Sequence, residues 1–133
     1  MITFLKVYAI SIAVFFVLDM LWLGVVARGF YQRQIGHLLR TDVNWIAAGA
    51  FYLVFLAGVV TFVIQPAIDT HSLQHAVSYG ALFGLVTYAA YDLTNLAVAK
   101  DWPVPVTLVD LAWGMVLTAT VSGATYLIAK RFL

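Results

Sequence analysis

Thr87-Tyr88-Ala89-Ala90-Tyr91-Asp92-Leu93-Thr94-Asn95 sets a carboxylate and an amide inside a long apolar stretch, and the rest of the chain is read against that combination. On a helix Tyr88, Asp92 and Asn95 fall at i, i+4 and i+7, so they share one face with Tyr91 just beside it. An ionisable group at bilayer depth costs at least about 2.5–3.5 kcal/mol on insertion scales. That face therefore turns away from lipid and marks a site whose partners lie elsewhere in the sequence.

The composition supports the membrane setting. Of 133 residues, 64% are hydrophobic and 10% charged, with a mean hydropathy of +0.98; soluble domains carry roughly 25% charged residues. Length allows a single domain of about four spans at roughly 20 residues each. A net charge of +1 gives no reason to expect nucleic acid as a partner, and the absence of Cys excludes disulfides, thiolate nucleophiles and Cys-bound zinc. No haem or nucleotide motif is present, and Gly-x-Ser-x-Gly, P-loop and His-Glu-x-x-His patterns are missing.

Working outward from the central stretch gives an all-α fold, a four-transmembrane-helix bundle with spans at about 3–27, 43–64, 73–99 and 104–129. The first span carries Asp19. Lys6 and Val25-Val26-Ala27 resemble a secretory leader, but the apolar run is too long for one and holds an acid. Residues 28–42 mix arginines with Phe30, Tyr31, Ile35, Leu38 and Leu39, which suits a short interfacial helix. Trp45 is an interface anchor for the uncharged second span, and Pro66 is expected to close it. In the third span Gly80 and Gly84 form a Gly-x-x-x-Gly pair that lets another helix approach closely. The connection Lys100–Pro105 holds two prolines and favours a fresh helix start.

With four spans the termini share one face of the membrane, here face A. Face A carries Lys6, Lys130, Arg131 and the amino terminus, while face B carries Arg28, Arg33, Arg40 and Lys100. Four positive groups on each side leave the orientation undecided.

At a rise of about 1.5 Å per residue from each span's midpoint, Asp19 lies roughly 6 Å, Asp92 roughly 9 Å and Asp110 roughly 10 Å from the bilayer centre, all towards face B. Three acids on three helices at one depth are most economically one pocket opening to face B. The pattern Asp-x-x-Trp occurs twice, as Asp19–Trp22 and Asp110–Trp113, on helices of opposite direction, each with a glycine behind it, Gly24 and Gly114. Each pair puts acid and indole on one helix face, where Trp can donate a hydrogen bond while its ring excludes water. Three ionised acids together would repel strongly, so at least one is expected to hold a proton or share a cation.

A purely structural reading stands beside this one: buried Asp and Asn can tie helices together, and an Asp near a span end can pair with Arg28 or Lys100. Asp69, His71 and His75 on face A have metal-like spacing but lack a firm fourth ligand. His37 is near enough in sequence to the pocket rim to act as an acid or base, but a solvated loop position explains it better.

The motifs Leu18–Gly24, Tyr91–Ala97 and Asp110–Gly114 resemble a family of small predicted bacterial membrane proteins catalogued as a domain of unknown function. The resemblance covers nearly the whole chain and implies a four-helix protein of the bacterial inner membrane; it brings no activity with it. Three functions follow as expectations. In the first, Asp19, Trp22, Tyr88, Asp92, Asn95, Asp110 and Trp113 bind protons, a cation or a small polar or cationic ligand, with Arg28 and Arg33 at the rim, as in a carrier that works as a homodimer, for which the Gly80/Gly84 face is one candidate contact. In the second, Asp92 and Asp110 hold a divalent cation against a lipid or prenyl diphosphate in a membrane-embedded enzyme. The third is an accessory protein whose polar residues serve helix contacts alone.

Overall fold

A computed structural model describes residues 2–133. Helix α1 (Ile2–Leu21) runs on as a π-helical turn, Trp22–Val26, and is followed by the short helix α2 (Arg28–Ile35) and a 3-10 turn, Gly36–Leu38. Helix α3 (Trp45–Val59) continues through a second π-helical turn, Val60–Ile64, into α4 (Gln65–Asp69). Helices α5 (Leu73–Val98) and α6 (Val104–Phe132) complete the chain. Four stretches are long and apolar enough to cross a membrane: Thr3–Val26, Trp45–Asp69, Leu73–Val98 and Val104–Phe132. Helix ends are set locally. The Asn44 side chain accepts from the Ala47 N–H at 3.1 Å and Ser72 from the His75 N–H at 3.0 Å, each satisfying an orphan donor of the first turn. His71 and Asp101 reverse the chain with φ of 54° and 63°.

The second span does not stop at Pro66. Proline inside a helix lacks an N–H and crowds the carbonyl four residues back. Here the π-helical turn precedes it, with the Gln65 N–H donating to the Val60 carbonyl, and the widened backbone lets the helix carry on to Asp69.

Helices α5 and α6 make the most extensive contact in the fold, and small residues cause it. Gly80 lies against Ser122 and the Thr118 backbone, and Gly84 against the Gly114 backbone. The Gly80/Gly84 face, expected as a surface between copies, is thus spent inside the molecule against α6. Helices α1 and α3 pack onto this pair around Val7, Phe15, Phe55, Leu56, Val59, Val60, Leu117 and Val121. Phe16, Val17, Ile46, Val54, Phe62, Val86, Leu108 and Val116 remain exposed, forming the girdle that a bilayer would cover. Trp45, 71% exposed, stands at the start of α3 as an interface anchor should.

A Cβ at position 84 would sit 2.0 Å from the Gly114 carbonyl oxygen, whereas one at position 24 meets nothing within 4 Å. Gly84→Ala is therefore expected to lose about 1–3 kcal/mol through overpacking. Gly24→Ala should be neutral or slightly stabilising. Thermal unfolding in detergent, followed by circular dichroism, compares the two, and equal melting temperatures would refute the close-contact account.

Candidate functional site

The site forms where the face-B ends of all four spans meet α2. The last turn of α1 delivers Asp19, and the π-helical turn that follows, in which the Ala27 N–H donates to the Trp22 carbonyl at 2.8 Å, carries Trp22. Turns of this kind are frequent at functional positions because they re-aim side chains. Asp110 lies nearly two turns and Trp113 about two and a half turns into α6, on the face directed at α1 and α5.

The two Asp-x-x-Trp motifs meet head on. The rings of Trp22 and Trp113 stack with centroids 4.3 Å apart and planes within 7°. The Trp22 indole N–H donates to the Tyr31 hydroxyl at 3.1 Å, and that hydroxyl donates in turn to Oδ1 of Asp110. The Tyr52 hydroxyl donates to Asp19 at 3.4 Å, with the Trp113 indole also beside that carboxyl. Tyr31 sits on α2, outside the spans. Burial, reinforced by the hydrogen bond to Asp110, pushes its hydroxyl above the ordinary tyrosine range, so Tyr31 keeps its proton and remains a donor.

These groups line a cavity of about 670 Å³, with Asp19 and Asp110 as its carboxylates and Trp22, Tyr31, Tyr52, Tyr88 and Trp113 as aromatic walls. Tyr91 and Trp102 meet edge to face at 5.6 Å and extend the wall. Arg28, Gln32 and Leu39 stand at its exposed rim. Asp19 is 5% and Asp110 9% exposed. Gly114 is what admits Tyr88, since a Cβ there would lie 2.5 Å from the tyrosine ring. Gly24 has no such role, and the glycine that follows each Asp-x-x-Trp is a likeness of sequence only.

Other expected residues lie apart from the cavity surface. Asp92 is 0% exposed and sits behind the wall, beside the carboxyl of Asp110, where no donor reaches either of its oxygens. Asn95 lies one turn further along α5, next to Tyr91, and does not line the cavity. Arg33 folds back over Gly29, the site of a would-be Cβ only 3.0 Å from its Nη1, so Arg28 alone of the two rim arginines faces the cavity. Asp69 accepts from Gln65 and His75 packs at a tilt against Tyr79, while His71 borders a separate hollow on face A near Lys6 and Lys130. His37 is exposed and does not line the cavity. Among the described residues no group of three or more His, Cys, Asp or Glu is placed to hold a metal ion.

Tyr31, Tyr52 and Trp102 were not singled out by sequence reasoning. Tyr52 carried a usable signal, as one of few side chains in the uncharged second span able to donate, seven residues in from Trp45. Tyr31 and Trp102 carried only the generic signal of aromatics at an interface.

Because Tyr31 both accepts from Trp22 and donates to Asp110, Tyr31→Phe orphans a half-buried indole N–H and a buried carboxyl and should cost about 1–3 kcal/mol. Tyr52→Phe removes one long hydrogen bond and should cost less. Thermal unfolding in detergent ranks them, and an equal or reversed order would refute this network.

Searches among curated proteins and solved structures return no significant match. Residues 4–127, by contrast, match the family described as "Predicted membrane protein (DUF2177)". With that coverage and its four apolar helices, the chain belongs to the DUF2177 family, a membrane-protein domain of unknown function.

Proposed function

We propose that this protein binds a small organic cation in the face-B cavity, in the manner of a carrier's substrate site. The observation that carries this reading is the pairing of two carboxylates, Asp19 and Asp110, with walls made of tryptophan and tyrosine rings. Aromatic faces attract cations through the ring quadrupole by about 0.5–2 kcal/mol each, and quaternary ammonium groups are the characteristic guests of such cages. Neither acid forms an ion pair with a described basic side chain, so the countercharge is left for a ligand. A volume of about 670 Å³ falls within the roughly 300–1,000 Å³ of small-molecule sites and far exceeds a bare ion.

Support for a metal-dependent enzyme acting on a lipid or prenyl diphosphate is weaker. That reading has Asp92 and Asp110 hold a divalent cation against the phosphate, with Arg28 or Arg33 as its clamp. Asp92 lies behind the wall, and Arg33 folds over its own helix. A purely accessory role leaves the cage and its unpaired acids without a purpose.

Benzyltrimethylammonium, whose charge is fixed at every pH, is a suitable probe for the purified protein in detergent. It should quench the fluorescence of the stacked tryptophans saturably, while neopentylbenzene, the uncharged analogue of the same shape, should not. Asp110→Asn should weaken binding at least about tenfold, equivalent to about 1.4 kcal/mol. Equal affinity of cation and analogue, or of the wild type and Asp110→Asn, would overturn the proposal.

A further inference from the structure

We infer that Asp92 is a proton store tied to the cavity, so that each cation bound at Asp110 expels one proton. The inference rests on the cation-binding reading above and adds what the buried acid contributes to it. Asp92 is the one acid of the three that a ligand cannot touch. It is fully buried on α5, neither oxygen meets a donor, and its immediate charged neighbour is the Asp110 carboxyl on α6. The contact of Gly84 with the Gly114 backbone fixes the spacing of those two helices, so the carboxyls cannot retreat from each other.

Two carboxyl groups held side by side away from water do not both ionise; one proton between them removes the repulsion and supplies the donor that Asp92 lacks. The groups facing the pair do not replace it. Asp19 on α1 has its own donor, Tyr52 of α3. Tyr31 on α2 donates to Asp110 alone, and Tyr88, Tyr91 and Asn95 on α5 bring no positive charge. Arg28 of α2 lines the same cavity as Asp110 but, like every other basic side chain among the described residues, pairs with neither acid.

A cation entering the cavity meets Asp110 and supplies the missing countercharge from the open side. The reason for holding the proton then disappears. The O–H bond of the pair breaks, the proton passes through Asp110 to water in the cavity, and Asp92 and Asp110 are left ionised, with the bound positive charge on the cavity side of Asp110. One charge enters and one leaves, so the occupancy of the site changes while its net charge does not. Such an exchange is what links the uptake of an organic cation to a proton gradient.

Calorimetric titration of the full chain in detergent with benzyltrimethylammonium, in two buffers of different ionisation enthalpy, counts the protons released. The wild type should release one per cation bound, and its affinity should rise about tenfold per pH unit while the pair still holds its proton. Asp92→Asn should bind with no proton release and a flat pH profile; Asp92→Ser, smaller and equally non-titrating, should behave alike and serves if the first variant does not fold. Binding by the wild type without proton release overturns this inference but spares the cation site, as does undiminished release in either variant. Absence of binding overturns both.

Discussion

The closest constraint in this fold is the approach of α5 to α6 at Gly84 and Gly114, where one helix has no side chain and the other offers bare backbone. In a bilayer, helices gain nothing from hiding apolar surface from lipid, so association rests on packing and polar contacts. The small-residue seam supplies the packing, and much else follows from it. It brings Asp92 up to Asp110, seats Tyr88 over Gly114, and makes a rigid two-helix base on which α1 and α3 lean. Polar groups cluster at one end of that base because there α1 and α3 bring Asp19 and Tyr52, and α2 closes over them.

Much of this architecture was legible in residue patterns. Apolar runs of span length, bounded by Trp45 and the prolines after Asp101, located the four helices, because hydrocarbon thickness leaves little choice of length. Depth counted along the spans placed Asp19, Asp92 and Asp110 at one level, and they do lie at one end of the bundle. Rotation about the helix axis was harder. Asp92 and Tyr88 are one turn apart, yet the tyrosine reaches the cavity and the acid points behind its wall. That difference depends on how α5 is turned against α6, which a single helix does not specify.

Two features were hidden for other reasons. The extension of the second span past Pro66 depends on a π-helical turn, and no simple composition marks where a backbone will take up an extra residue. Gly80 and Gly84 announced a close helix contact correctly but could not name the partner, since an internal helix and a second copy present the same demand. Tyr31 joined the site because α2 folds over the end of the bundle, and the path of a connecting segment was not written in its periodicity.

Beneath the cavity, Phe15, Phe55, Leu56, Leu117 and Val121 fill the space between the four spans and close it towards face A. The molecule is thus a cup rather than a tube. On the cation-binding reading proposed above, a guest in the cup would meet one side of the membrane only, with the packed apolar side chains of the stopper between it and the other. Were that reading to include transport, the stopper itself would have to move before the guest crossed.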